Sequence, residues 1–263
     1  MQQDIVVSTQ TFVIKSSIEY VNLEAFFESI EISPTIIGAK YKLRIKGTSV
    51  VVTAIGKNFL NCLSLAILSD KKINAKIFQN GTIQLTGCKR VQHAHFCVNV
   101  IYSAIQSHPE WLRMPNDSKE ITYYLISVMK NVTYNLNFLI NREALGEYLS
   151  NFTPYYVPPL TTGYMGVKIK IPLENPHETR IPKISWPSGE QSYTTFGEYF
   201  AHDKRKMAKK FMTSVSVFQN GKVLISGVNS DIVQSICDWT RNVVMGAREI
   251  VEIIPRPKKT FIR

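Results

Sequence analysis

The chain carries the same pattern twice, and this repetition limits the folds it can adopt. The first hairpin-like block is IFQNGTIQLTGCK and the second is VFQNGKVLISGVN, with Phe, Gln, Asn and both Gly residues identical. The paired blocks, in one order, are residues 77–89 with 217–229, 21–26 with 140–145, and 34–46 with 159–171. The paired blocks start 119–140 residues apart. Solenoid repeats have much shorter periods, of roughly 20–50 residues. The pattern therefore predicts a duplicated, pseudo-symmetric protein.

Each copy has the same predicted order of elements: a strand, a short helix, several strands and a long helix. The spacing of apolar residues predicts a short helix over 22–30 and long helices over 91–107 and 231–252, with Ser230 as the N-cap of the last. Asn-Gly pairs at 80–81 and 220–221 predict tight hairpins.

The repeats also predict the domain boundaries. The predicted parts are a first repeat (1–115) with an insertion at about 47–72, a second repeat (116–253) with an insertion at about 173–209, and a basic tail (254–263). The first insertion is semi-apolar and is expected to add a strand or helix, whereas the second contains three prolines and a basic run at 204–210. We expect both insertions at the surface.

The predicted strands each have one apolar and one polar face, because side chains alternate along a strand. The polar face includes Lys40, Lys42, Arg44, Lys76, Gln84, Lys168 and Lys170. Phe78 and Phe218 stand on this polar face at the same place in each copy. An aromatic ring on the polar face, twice, is the anomaly that needs a reason.

Two explanations of this face remain open from the alternation alone. In one, the face meets nucleic acid: lysines neutralise phosphates while the two Phe rings stack on bases or wedge between base steps. In the other, the face is solvated, its lysines discourage strand pairing between molecules, and each Phe covers its hairpin.

The composition favours a nucleic-acid partner. Lys and Arg number 31 against 20 Asp and Glu, which gives a net charge of +11. Four cysteines without CxxC spacing indicate reduced thiols in an intracellular protein. The N-terminus lacks the features of a signal peptide, and no apolar run approaches the roughly 20 residues that span a bilayer.

No motif of a known catalytic class is present, so we expect no enzyme activity and no cofactor. The sequence lacks Walker A, HExxH, GxSxG and GxGxxG motifs, and its carboxylates do not cluster. His93 and His95 with Cys88 and Cys97 match no usual zinc spacing, so no metal is expected.

The doubled hairpin and the order of elements resemble the TATA-box-binding protein (TBP) family. The family signature, Ile-Phe-x-x-Gly-Lys-x-x-x-Thr-Gly-Ala-Lys, is matched from Ile77 to Lys89 and again from Val217 to Gly227. The resemblance implies an α+β saddle in which two pseudo-symmetric halves share one curved antiparallel sheet, with helices on the convex face. Chain length and insertions resemble the TBP-like proteins of large nucleocytoplasmic DNA viruses, the asfarvirus type in particular.

This resemblance implies positions that contact DNA in the minor groove. It implies that Phe78 and Phe218 pry open base steps, that Thr86 and Ser226 reach the groove floor, and that Gln10 replaces a groove-reading Asn. The same count in the second copy falls on Met129, two residues before Asn131. The second wedge of each half falls at about Ile37 and Thr162, which are not aromatic. The full expected DNA-binding set is Phe78, Phe218, Gln10, Thr86, Ser226, Lys76, Gln84, Lys89, Lys40, Lys42, Arg44, Lys168, Lys170 and Leu224.

The resemblance also implies partners and a compartment. Promoter DNA, preferably AT-rich, would bind the concave face, while B-type initiation factors and RNA polymerase would dock elsewhere; no membrane or small-molecule partner is expected. Arg241 and Arg248 are the expected outward-facing partner contacts on the last helix. A viral protein of this kind would act in the cytoplasmic virus factory, the host nucleus or the virion. The alternative is a TBP-fold module that docks initiation factors or polymerase with little DNA bending or sequence specificity.

Overall fold

The computed structural model describes residues 5–48, 61–115, 120–201, 211–227 and 230–254. The strands are β1 (Val6–Ser16), β2 (Tyr20–Val21), β3 (Ile36–Tyr41), β4 (Arg44–Gly47), β5 (Cys62–Leu68), β6 (Lys72–Phe78), β7 (Ile83–Cys88), β8 (Leu112–Arg113), β9 (Ile121–Asn135), β10 (Gly166–Pro172), β11 (Arg180–Trp186), β12 (Gln191–Thr195), β13 (Met212–Phe218) and β14 (Lys222–Gly227). The α-helices are α1 (Leu23–Ser29), α2 (Val91–Gln106), α3 (Arg142–Phe152), α4 (Phe196–Tyr199), α5 (Ser230–Gly246) and α6 (Arg248–Val251). Pro109–Trp111 and Pro176–Glu178 form 3₁₀ turns.

The chain forms two compact units that do not coincide with the two sequence repeats. The N-terminal unit comprises Thr9–Met129 and Asn175–Lys209, and the C-terminal unit comprises Met1–Ser8, Lys130–Glu174 and Lys210–Arg263. Residues 175–201 lie within the second repeat in sequence but pack with the first.

The N-terminal unit is an antiparallel sheet in the order β1-β7-β6-β5-β3-β4, with α1 and α2 on one face. Alternate side chains of the strands point to the helices, as Leu65, Ala75 and Leu85 do, and each is at most 1% exposed. Phe26 from α1 and Ile101 from α2 complete this core. The sheet buries one face only, as its alternating sequence requires.

The second insertion is part of this core and not a surface loop. β11 pairs with the first residues of β9, with Ile184 opposite Tyr123. Trp186 is 8% exposed, and its Nε1–H donates to Asn99 Oδ1 of α2 at 3.1 Å. The proline content alone suggests that this segment is a loop. Burial of its apolar side chains, however, offsets the entropic cost of ordering it. The basic run at 204–210 lies outside the described residues.

The C-terminal unit has the sheet order β10-β13-β14-β9, with α3 and α5 contributing to its core. The valines of β13 and β14, Val215, Val217 and Val223, are fully buried. Leu145 of α3 and Cys237 of α5 are also fully buried in this core. Both units therefore combine an antiparallel sheet with helices on one face, which confirms the α+β class.

Local signals recur at matched places in both units. Asn22 caps α1, accepting a hydrogen bond from Ala25 N–H at 3.1 Å, and Asn141 caps α3, accepting from Ala144 N–H at 3.2 Å. The hairpins β6–β7 and β13–β14 pair identically, Ile77 with Ile83 and Val217 with Val223. These two blocks of the repeat are structurally equivalent.

The third block of the repeat was misaligned. Residues 40–46 are not one strand: the chain turns at Lys42, whose φ is +54°, and returns as β4, with Tyr41 opposite Arg44. β10 pairs with β13 as β5 pairs with β6, so β10 corresponds to β5 and not to residues 40–46. A hairpin made of two short strands preserves period-two alternation through its turn, so the pattern did not reveal it.

Two further expectations about elements need correction. The first insertion contains β5, a strand in the interior of the sheet, so residues 61–72 are not a surface insertion. The last predicted helix is divided at Ala247 into α5 and α6. The proposed tail lies outside the described residues from 255 onward. No helix in the described part of the chain is long and apolar enough to cross a membrane.

Candidate nucleic-acid interface

The N-terminal unit has a sheet face that its helices do not cover, here called the N-terminal polar face. It consists of cross-strand rows in which directly paired residues share a side of the sheet. One row is Val13, Gln84, Lys76, Ser64 and Lys40, and the next is Thr11, Thr86 and Asn74. Thr86, Lys76 and Gln84, all expected in the site, therefore lie together on this face, half-buried. Lys40 lies on it too but is only 9% exposed.

Phe78 lies on the N-terminal polar face, half-buried at the end of β6. Its backbone N–H donates to Thr82 O at 2.8 Å, and Gly81 N–H donates to Phe78 O at 3.0 Å. Gly81 has φ +71°, and a Cβ there would lie 2.7 Å from Ile18 Cβ, so the turn requires glycine. The hairpin thus holds the ring on the polar side, outside the hydrophobic core.

The C-terminal unit has a matching uncovered face, here called the C-terminal polar face. Its rows are Lys168, Ser216, Leu224 and Thr133, followed by Lys170, Ser214, Ser226 and Asn131. The expected residues Lys168, Lys170, Leu224 and Ser226 are brought together here. The register places Ser226 opposite Asn131 as it places Thr86 opposite Thr11.

Phe218 is half-buried on the C-terminal polar face, where Tyr164 packs beside it. The two ring centroids are 5.8 Å apart at an interplanar angle of 54°. Tyr164 O–H donates to Ser216 Oγ at 2.7 Å, and Lys168 Nζ lies 4.6 Å from the Tyr164 ring centroid. A Cβ on Gly166 would lie 3.1 Å from Tyr164 Cε1 and 3.2 Å from Phe218 Cδ1, so glycine gives both rings room.

Sequence reasoning missed Tyr164. The second wedge was expected at Thr162 because residues 159–171 were aligned with residues 34–46. Thr162 lies exposed in a turn. The usable signal was an aromatic residue two positions before β10. In the N-terminal unit Ile37 lies in β3, two strands away from β6.

The expected groove-reading residue Gln10 does not lie in the accessible rows. It is 8% exposed, opposite the buried Cys88, and a β-bulge separates it from Thr11. In the register Thr11, and not Gln10, matches Asn131, because Thr11 lies opposite Thr86 as Asn131 lies opposite Ser226. Among the described residues, neither Gln10 Oε1 nor Asn131 Oδ1 has a hydrogen-bond partner.

Lys42 and Arg44 belong to the helix side, contrary to the sequence-based expectation. Arg44 pairs with Glu28 and, at 2.9 Å, with Glu24 of α1, and its guanidinium carbon lies 5.0 Å from the Phe27 ring centroid. Lys42 Nζ lies 3.6 Å from Glu24. Both residues are therefore removed from the candidate interface. Their displacement follows from the hairpin that places Arg44 opposite Tyr41.

Lys89 is exposed where β7 meets α2, and its counterpart Asn229 lies outside the described residues. At the start of α2, Lys89 N–H donates to Nδ1 of the buried His93 at 3.2 Å. The side chain of Lys89 is therefore solvent-accessible next to, but not in, the cross-strand rows.

The two arginines expected to face partners contact the C-terminal unit itself. The Arg241 guanidinium carbon lies 5.1 Å from the Tyr134 ring centroid, and its side chain is only 24% exposed. Arg248 Nε donates to Glu252 Oε2 at 2.7 Å and packs over Phe138. This hydrogen bond raises the pKa of Arg248 and lowers the pKa of Glu252. Arg241 is therefore a packing residue.

Burial disfavours the thiolate at Cys88 and Cys97. Burial raises the pKa of Cys88 to about 11 and that of Cys97 to about 12. Thiols become nucleophilic as thiolates, and this shift suppresses the thiolate. Among the residues that the structure describes, no three His, Cys, Asp or Glu side chains form a group able to hold a metal.

The fold defined by these units is that of TBP. The solved structure of Methanococcus jannaschii TBP is similar, with a TM-score of 0.52 and 13% identity, over 92% of this chain and 99% of that one. At this identity the similarity concerns the fold alone. The expected TBP-like α+β architecture is confirmed by this match.

Two viral proteins are similar to this chain in sequence. One is the uncharacterized protein 335L of Invertebrate iridescent virus 6, 26% identical over 204 residues, covering 67% of this chain and 57% of that protein. The other is the "TATA-box-binding protein-like" protein of Acanthamoeba polyphaga mimivirus, 24% identical over 189 residues, covering 66% of this chain and 44% of that protein. The chain thus matches about half the length of these relatives. No protein-family model matches it.

Proposed function

We propose that this chain is a TBP-like, non-catalytic protein of transcription initiation that binds duplex DNA through its two polar faces. The observation that carries the proposal is the pair Phe78 and Phe218, which stand half-buried at the equivalent end of each hairpin. An aromatic ring held out of the core among lysines, serines and threonines suits stacking on or between bases. The TBP fold and the mimivirus relative support this assignment.

The proposed contacts divide by chemistry. Lys76, Lys168 and Lys170 neutralise phosphates, which supplies most of the affinity. Thr86 and Ser226 face the groove floor, and Phe78 with Phe218 wedge between base steps. Minor-groove binding to AT-rich promoter DNA, and a place in viral transcription with B-type factors and polymerase as partners, complete the proposal.

Removing both wedges tests it most directly. The double variant Phe78→Ala with Phe218→Ala should lose on the order of 2–6 kcal/mol of duplex affinity, since each stacked base contributes about 1–3 kcal/mol. Fluorescence anisotropy titrations on AT-rich and GC-rich duplexes measure the loss. Unchanged affinity in the double variant would leave a purely electrostatic surface and contradict the wedge role.

The salt dependence of DNA affinity tests whether the cations of the polar faces, and not those of the helix side, contact phosphates. Lys168→Ala should reduce the slope of log K against log salt by about 0.9, the value for one phosphate contact. Arg44→Ala is the matched control: its guanidinium is bound to α1 carboxylates, so the slope should not change. If the unmodified chain binds no duplex at low salt, the DNA-binding proposal fails and a protein-docking module replaces it.

A further inference from the structure

Phe78 borders a groove of about 500 Å³ in the N-terminal unit. The residues that line this groove do not belong to the cross-strand rows described above. Tyr20 lines the same groove, together with the carboxamide-bearing residues Asn61, Gln79 and Asn80. Small-molecule sites commonly measure about 300–1,000 Å³ and combine apolar walls with a few polar groups. The groove has the size and the chemistry for a nucleotide-sized ligand.

The walls of the groove are tied together by the backbone. Val21 N–H donates to Gln79 O at 2.8 Å, which joins β2 to the tip of the Phe78 hairpin. Glu19 N–H donates to Arg113 O at 2.9 Å, and the Arg113 guanidinium carbon lies 5.7 Å from the Tyr20 ring centroid. Tyr20 is thus held in place before any ligand arrives, which lowers the entropic cost of binding.

The polar groups in the groove suit the edge of a nucleobase. Carboxamides both donate and accept hydrogen bonds, as base edges do. Asn80 Oδ1 already accepts from Thr82 N–H at 3.2 Å, which orients that carboxamide. The Glu19 carboxylate, whose Oε2 lies 3.4 Å from Arg113 Nε, has further lone pairs and adds an acceptor. Lys15, whose Nζ donates to Thr82 Oγ1 at 2.8 Å, adds a cation. A carboxylate favours bases that present an amino group, such as cytosine.

The matched place in the C-terminal unit has different chemistry. Ile140 N–H donates to Gln219 O at 2.8 Å, as Val21 N–H does to Gln79 O, so Leu139 is the counterpart of Tyr20. Asn135, opposite Lys222, takes the place of Lys15 beside Thr82. In that unit the aromatic partner of Phe218 is Tyr164, on the polar face itself.

We propose that the groove between Phe78 and Tyr20 binds a single nucleobase that has left the base stack, with a preference for bases carrying an exocyclic amino group. The proposal rests on the duplex binding proposed above and adds a second element to it. Phe78 separates the bases, and the groove receives one of them. The base stacks on the Tyr20 ring, Glu19 accepts from its amino group, and Lys15 neutralises the adjoining phosphate.

The experiment compares the affinities of one chain for four duplexes. The duplexes are fully paired, or carry a single bulged cytosine, a bulged thymine or a bulged abasic site, and anisotropy is measured at one salt concentration. The cytosine bulge should bind about tenfold more tightly than the abasic bulge, within the range for one stacked base. The thymine bulge should fall between them.

Variants at the groove assign the effect. Tyr20→Ala should abolish the preference for a bulged base over the abasic site, whereas Tyr20→Phe should retain it. Glu19→Gln should remove only the discrimination between cytosine and thymine. Leu139→Ala is the matched control in the C-terminal unit and should change neither preference. Circular dichroism checks that each variant is folded.

The outcomes separate this proposal from the one on which it rests. Binding of the paired duplex with no preference for cytosine over the abasic bulge overturns the groove proposal alone. A preference that survives Tyr20→Ala in a folded variant, or is lost in Tyr20→Phe, also overturns it. Absence of binding to the paired duplex at low salt overturns the proposed function, whichever result the bulged duplexes give.

Discussion

The two units share one plan but surround their twin phenylalanines differently. Phe218 has an aromatic neighbour on the same face, Tyr164, held by a hydrogen bond to Ser216. Phe78 instead borders a groove lined by Tyr20, by Asn61 and by Gln79 and Asn80 of its own hairpin. Duplication has thus preserved the ring and its hairpin while the neighbours diverged. The sheet and turn specify where the ring stands, and the neighbours specify what it can bind.

The units also differ in what completes their cores. The N-terminal unit takes β11 and Trp186 from a segment encoded within the second repeat. Trp186→Ala should reduce the free energy of unfolding by about 3–5 kcal/mol, the usual cost of removing a buried tryptophan. Chemical denaturation measures this loss, and hydrogen exchange should show it in the amides of α2 before those of α5.

Tyr193→Ala is the matched control on the same hairpin, because Tyr193 is 60% exposed. Its effect should stay within about 0.5 kcal/mol. An equally small effect of Trp186→Ala would contradict the assignment of the insertion to the core.

A double-mutant cycle tests whether the two phenylalanines work in different settings. Tyr164→Ala and Phe218→Ala should show a coupling of about 0.5–1.5 kcal/mol in duplex affinity, since their rings are in contact. Tyr164→Ala with Phe78→Ala should be additive within about 0.5 kcal/mol. Equal coupling in both pairs would remove the distinction drawn between the two sites.

The smallest expected difference concerns the short turn after each long helix. In the N-terminal unit the rings of Trp111 and His108 stack with their centroids 3.7 Å apart. In the C-terminal unit Arg248 instead forms an ion pair with Glu252. The hydrogen bond from Arg248 lowers the pKa of Glu252 from 4.5, so its stabilisation is present above the unfolded pKa and is lost as pH falls through the folded pKa. Glu252→Gln should therefore lower the melting temperature slightly at neutral pH.

That difference should shrink at acid pH, once the pH is below the lowered folded-state pKa of Glu252, because the carboxyl is then protonated in both states. Parallel thermal melts of the variant and the unmodified chain at the two pH values check this. A Glu252→Gln effect that is the same at both values would show that the ion pair contributes nothing.

The features predicted correctly from sequence are those with a local physical cause. Asn-Gly fixed both hairpins because their turns need positive φ, and Asn22 and Asn141 start helices because their side chains cap free N–H groups. The polar side of Phe78 followed from strict alternation along β6. Period-two alternation failed at residues 40–46 because two strands joined by a tight turn give the same pattern as one.

The errors at the site have non-local causes. Arg44 faces helix α1 because of a turn two residues earlier, and its glutamate partners lie 16 and 20 residues away in sequence. Gln10 was named in place of Thr11 because a count back from the helix depends on the length of the connection, which is 11 residues from Thr11 to Asn22 but 10 from Asn131 to Asn141. Trp186 sits in a proline-rich segment whose role depends on contact with α2, which no local pattern reports. Tyr164 was hidden by the wrong strand alignment.

The late position of β11 in the chain has a consequence for synthesis on the ribosome. Residues 9–115 leave the exit tunnel long before Trp186, so α2 must wait for its tryptophan while about 70 further residues are made, many of them belonging to the C-terminal unit. Neither unit is a contiguous stretch of the chain, and a nascent product that stops between the repeats would lack the tryptophan that contacts Asn99 and Tyr102 of α2. Maturation of the first half is thereby linked to translation of the second.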